Sequence, residues 1–148
     1  MEKLRALTKY LIEHRVVVAE QLESCAEHVN LTLIWKPEEL GLHMGDMRYR
    51  AVIFLERLTE NPARLMALLG TWLVNNDPDR HLDELPAPTF DIEQMDPDAA
   101  DVEITVEFIE PLHLTESPDG EFEAFGTTWA LEPFDLWIAE RGEVLYGA

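Results

Sequence analysis

The spacing of apolar residues changes period along this chain, and the changes mark its elements. Residues 2–14 place Leu4, Leu7 and Leu11 at i, i+3 and i+7, with Glu2, Lys3, Arg5, Lys9 and Glu13 mostly elsewhere on the wheel, which predicts an amphipathic helix. Residues 15–28 (RVVVAEQLESCAEH) mix strand-favouring valines with helix formers and read as a short second helix. Residues 29–36 alternate Leu31, Leu33 and Trp35 with other neighbours, a strand that Pro37 stops. The following KPEELGLHMGDM, with two glycines, reads as a loop long enough to reach a neighbour. From Tyr49 to Leu58 both alternating sets are apolar, so this strand is expected to be central and covered on both faces. Asn61 and Pro62 then open a helix with Leu65, Leu68, Leu69 and Trp72 as its buried stripe, and NNDPDRH closes it.

Beyond the proline-rich LPAP (85–88) the period becomes two. TFDIEQ and ADVEITVEFIE point Phe90 and Ile92, then Val102, Ile104, Val106 and Phe108, to one face, and MDPDAA between them predicts an antiparallel hairpin. Residues 112–130, with a Pro-Asp-Gly turn at 118–120, read as a protruding arm or flap. FDLWIA and EVLY, joined by a turn at 140–142, predict a C-terminal β-hairpin. The expected fold class is α+β: a mainly antiparallel or mixed sheet against two or three helices, in a single domain spanning 1–148.

Charge sharpens this picture. The chain has 30 acids, 11 bases and a formal net charge of −19. Ten of the bases fall in residues 1–80, beside twelve acids; residues 81–140 hold seventeen acids and no base. Such a surface repels phosphates, so sequence-specific nucleic-acid binding is disfavoured. No apolar run reaches the roughly 20 residues that a spanning helix needs. The opening MEKLRALTKYLIEH is charged and amphipathic rather than a secretory core, and the expected compartment is the cytoplasm. Cys25 stands alone, which leaves no intrachain disulfide and no thiolate cage.

The densest acidic stretch runs from Phe90 to Phe108. In the expected hairpin Asp91, Glu93, Asp101, Glu103 and Glu107 share the face opposite the apolar one. Like charges opposed across strands destabilise by roughly 0.2–1 kcal/mol per pair, so the arrangement does nothing for an isolated subunit. A calcium loop would need a glycine that DPDAAD lacks. Acid catalysis would need a desolvated carboxylate in a cleft. The five histidines have no ligand spacing, and no hydrolase, dinucleotide or nucleotide-binding motif occurs. No cofactor, metal or catalytic residue is therefore expected. Trp72 belongs to the core, and Trp129 and Trp137 are candidates for a subunit contact.

Three stretches carry a family likeness: WLVNNDPDR (72–80), FDIE followed by ADVEITV (90–106), and the closing LWI…GE…L. With the order of elements around them, the chain resembles the tail completion proteins of the R gene product type, from contractile-tailed bacteriophages of the Peduovirus kind and related prophages. The resemblance implies a structural, tail-terminator-like protein made in the bacterial host cytoplasm and carried into the virion tail. It implies a homohexameric ring that caps the tail tube, stops polymerisation and faces sheath or head-connector proteins. In such a ring the acidic face would meet a basic face on the neighbour, with Arg48, Arg50, Arg57 or Arg64 as its cations, or would line the bore. The rival expectation from charge alone is an acidic monomeric binding protein, such as a DNA mimic or an inhibitor of a host DNA-binding protein.

Overall fold

Two strands of eighteen residues, β2 (Gly41–Leu58) and β4 (Ala99–Glu116), pair antiparallel along nearly their whole length and form the spine of the molecule. The computed structural model describes residues 1–39 and 41–132. Before the spine come helix α1 (Glu2–Glu13), a 3-10 turn (Ala19–Gln21) and β1 (Leu22–Pro37), which pairs with β2. Between the long strands lie α2 (Pro62–Asn76), a second 3-10 turn (Pro78–His81) and β3 (Thr89–Asp96), which pairs with the first half of β4. The second half of β4 pairs with β6 (Thr127–Glu132), and β6 with β5 (Phe122–Ala124). The result is an antiparallel six-stranded sheet with helices packed on one face, an α+β fold as expected.

Period-two alternation builds the core. Tyr49, Ala51, Ile53 and Leu55 of β2 stand opposite Phe108, Val106, Ile104 and Val102 of β4, and all eight are buried. Leu4, Leu7 and Leu11 of α1 and Leu65, Leu69, Trp72 and Leu73 of α2 cover them. Each buried Leu, Ile, Val or Phe among them contributes about 1.5–3 kcal/mol by leaving water. Trp72 and Tyr49 meet the Phe108 ring at centroid distances of 5.9 and 5.8 Å. Asn61 caps α2 by accepting from the Ala63 N–H at 2.9 Å, with Pro62 at its first position.

Three local expectations give way to pairing. Residues 22–28 are strand, not helix: Leu22 and Ala26 lie opposite Leu55 and Ala51, so the ladder with β2 overrides the helix propensity of AEQLESCAEH. Residues 41–47 are strand, not loop, and only residues 38–40 separate β1 from β2. The two glycines there are sites of close approach. A Cβ on Gly45 would lie 2.3 Å from the Thr32 carbonyl oxygen, and one on Gly41 would lie 2.4 Å from that of Leu114. The helices cover one face of β2; on the other, Val52 is buried at 5% but Phe54 is 44% exposed, so the expected cover on both faces is only partial. Ile92 shares the inner face with Val102 but sits on the outer strand, where it is 38% exposed. The residues read as arm or flap contain the end of β4 and the β5–β6 hairpin, whose Phe125 packs edge-on against Trp35 of β1 at 5.5 Å. The expected C-terminal hairpin lies outside the described residues.

A buried polar cluster ties helices to sheet. The Glu110 carboxylate, only 3% exposed as a residue, accepts from the Glu2 and Lys3 backbone N–H groups at 3.0 Å each and from the Tyr49 hydroxyl. It therefore caps α1 from across the sheet, where a negative charge also suits the helix dipole. Lys3 Nζ donates to Asp77 Oδ1 and to the Ile109 carbonyl, both at 2.7 Å. Arg80 donates to Asp77 Oδ2 at 2.7 Å and to the Glu107 and Pro86 carbonyls at 3.0 Å. Two cations and two anions balance, and among the described residues no buried side-chain nitrogen or oxygen lacks a partner.

Replacing Glu110 with Leu should destabilise the fold by about 3–5 kcal/mol in chemical denaturation, because two helix N–H groups and a buried hydroxyl lose their common acceptor. Burial, then the bond to Glu110, pushes the Tyr49 hydroxyl above the ordinary phenol range. Its folded value exceeds its unfolded one, so this contribution is complete below about pH 10 and falls by about 1.4 kcal/mol per pH unit above it. Tyr49→Phe should cost about 1–3 kcal/mol at neutral pH and flatten the alkaline limb of a stability-versus-pH curve.

Candidate functional site

The acidic residues of the β3–β4 hairpin are set by its register. Asp96 Oδ1 accepts from the Asp98 N–H at 2.9 Å and shapes the turn. The strands then place Asp91 opposite Glu103 and Glu93 opposite Asp101. On the other side of β4, Glu103 stands opposite Phe54, which stands opposite Glu23 of β1. A single lateral row, Glu23–Phe54–Glu103–Asp91, thus crosses four strands on the face away from the helices.

Around this row lies an open groove of about 340 Å³, which Glu20, Glu23, Glu56, Asp91, Glu93, Asp101 and Glu103 line together with Phe54. Four of the five acids singled out in the sequence meet here. A bulge between Leu55 and Leu58, with Arg57 at φ 54°, turns the end of β2 toward it. Arg57 donates its backbone N–H to Asp101 at 3.0 Å and its guanidinium to Asp96 at 3.4 Å, which supplies a cation at the rim.

Glu107, the fifth acid, does not join the groove. It accepts from Nε and Nη2 of Arg48 at 3.1 and 3.0 Å, and stands opposite Arg50, which reaches Glu27 at 3.6 Å. Arg64 lies on α2, paired with Glu60 and with the His14 carbonyl. The four arginines are therefore spread over the outer sheet face, a bulge and a helix, and each has an acidic partner within the chain. Trp129 is half-buried in β6 and donates its indole N–H to the Ala124 carbonyl at 2.9 Å. Trp137 lies outside the described residues.

Chemically, the groove offers separated carboxylates over an exposed aromatic floor. That suits a cationic side chain, which gains from charge and from the ring face together. Among the described residues no three His, Cys, Asp or Glu groups converge as metal ligands would. Two polar features escaped sequence reasoning. His43 and His113 stack across β2 and β4 at 4.8 Å, bound to Asp46 at 2.8 Å and Glu38 at 2.9 Å; their cross-strand placement depends on a register that spacing does not reveal. The buried Lys3–Asp77–Arg80–Glu110 cluster had one signal, the paired Asp77 and Arg80 of WLVNNDPDR.

Comparison with known proteins bears on this arrangement. A family model described as P2 phage tail completion protein R (GpR) matches residues 1–133. A protein of Haemophilus phage HP1 (strain HP1c1), described as an uncharacterized 19.2 kDa protein in the rep-hol intergenic region, is 34% identical over 111 residues. That alignment covers 72% of this chain and 66% of the relative, so the chain spans slightly less than two thirds of the relative's length. No solved structure matches the chain. With nine-tenths of its length inside one family match, the chain belongs to the P2 phage tail completion protein R family.

Proposed function

We propose that this chain is a structural tail completion subunit of a contractile-tailed phage or prophage. It assembles in the host cytoplasm as a homohexameric ring on the last ring of the tail tube, stops polymerisation, and offers a surface to sheath or head-connector proteins. The family match over residues 1–133 carries this reading. The role needs no bond-breaking step and no cofactor, which suits a groove of open carboxylates.

The acidic groove serves assembly in this reading. Phe54 favours that use over a channel lining, because a 44% exposed aromatic ring gains when another protein covers it. The opposed pairs Asp91–Glu103 and Glu93–Asp101 are a cost to the lone subunit that a partner's cation offsets. The DNA-mimic alternative has less support, since Arg48 and Arg50 interrupt the acidic face within their ion pairs.

Electron microscopy of lysates from a phage deleted for this protein should show overlong or headless tails; normal tails with heads attached would refute the proposal. Glu103→Gln together with Glu93→Gln should raise the stability of the isolated subunit by about 0.2–1 kcal/mol per relieved pair at low salt. The same change should weaken assembly onto tails and alter its salt dependence. Equal assembly by wild type and variant across ionic strengths would remove the groove from the interface.

A further inference from the structure

Among the described residues three strands, β1, β3 and β5, pair on one side only, and the outer edges of β1 and β3 differ in chemistry. At one end β1 pairs only with β2. Its stretch from Val29 to Ile34 contains no charge and no proline, and exposes Val29, Leu31, Leu33 and Ile34 at 46, 52, 56 and 41%. A long apolar edge invites another strand, and proteins usually guard one with Lys, Pro or a covering element. This chain does so elsewhere. Where β4 runs uncovered between β3 and β6, Lys3 and Arg80 bind the Ile109 and Glu107 carbonyls, and Pro111 removes an N–H. No such charge or proline lies within residues 29–34 of β1; Lys36 and Pro37 stand only at its end.

At the other end, next to β4, the edge strand is β3. It carries Asp91, Glu93 and Asp96 with no base, and exposes Ile92 and Met95 at 38 and 52%. Residues 28–36 of β1 hold His28 and Lys36 and no carboxylate. The two edges thus match in apolar exposure and complement each other in charge. Register breaks at His28 and Trp35, both with positive φ (52° and 53°), bracket a regularly paired segment of β1, Asn30–Leu33. The eight residues of β3 are long enough to receive it.

We propose that the 28–36 stretch of β1 in one copy of this chain pairs with the outer edge of β3 in the next, continuing the sheet across the subunit boundary. The contact joins unlike surfaces, so it propagates around a ring instead of closing a two-fold dimer. It also brings Lys36 and His28 toward Asp91 and Glu93 at the mouth of the acidic groove. This inference rests on the ring reading and names the interface that builds it.

The test uses the full chain, with Cys25→Ser as background, added to tails from the deletion phage. One preparation carries Leu31→Cys and another Ile92→Cys, and a short bismaleimide is applied to each alone and to their mixture. A cross-linked dimer only in the mixture, and a ladder of higher oligomers when one chain carries both changes, is the expected result. Cross-linking of the Leu31→Cys preparation alone would overturn the proposal in favour of two-fold β1 pairing. Cross-linking confined within single chains carrying both changes would overturn it too. As a second arm, Leu31→Lys with Leu33→Lys places guard charges at exposed positions. It should leave thermal unfolding of the subunit unchanged and lower the titre of finished phage about tenfold or more. Unimpaired completion by this variant would discard the β1 edge while leaving the ring standing. Failure of the wild type to oligomerise on tails would remove ring and interface together.

Discussion

The carboxylate of Glu110 decides how the helical layer meets the sheet. It lies near the middle of β4, it is buried, and it binds the first free N–H groups of α1 and the Tyr49 hydroxyl of β2. Around it Lys3, Asp77 and Arg80 bind one another and the backbone of β4, so the start of α1 and the turn after α2 converge on one strand. The hydrophobic contacts of Leu4, Leu7, Leu65 and Leu69 supply most of the burial, but they are non-directional. The polar cluster fixes where along the sheet each helix ends, because a buried ion without its partners is far costlier than a slipped leucine.

Much of this was legible in the residue pattern. Both helices, the β3–β4 hairpin and the alternation that buries Val102 to Phe108 follow from period alone, since each element buries one face. The first strand was obscured by its own composition: Glu20 to His28 favours helix locally, and only the ladder to β2 makes it strand. Gly41 and Gly45 read as turn residues because spacing cannot distinguish a bend from a close backbone approach. The acidic site was legible as a face but not as a groove. Period two grouped Asp91, Glu93, Asp101 and Glu103, whereas Phe54, Glu20, Glu23 and Glu56 came to them through pairings between strands distant in sequence. Glu107 was grouped with them by the same period, yet the register sets it beside Arg48 and Arg50.

The outer face of the sheet contrasts with the inner one. On the helix side, among the described residues, every buried side-chain nitrogen and oxygen has a hydrogen-bond partner. On the outer side acids stand opposite acids, an aromatic ring lies open, and the end strand keeps its apolar edge uncovered. Local rules fail there together, which is the pattern expected where a surface has been shaped for something other than the stability of one subunit.

The span of the Glu110 contact bears on how the chain acquires its structure. The Glu2 N–H finds its acceptor 108 residues downstream. During synthesis the first helix leaves the ribosome with its end uncapped, and it stays a fluctuating segment until β4 has emerged and paired with β2. Long-range closure of this kind slows folding. The order of the chain and the order in which its contacts can form therefore differ: the first helix is made first and anchored last.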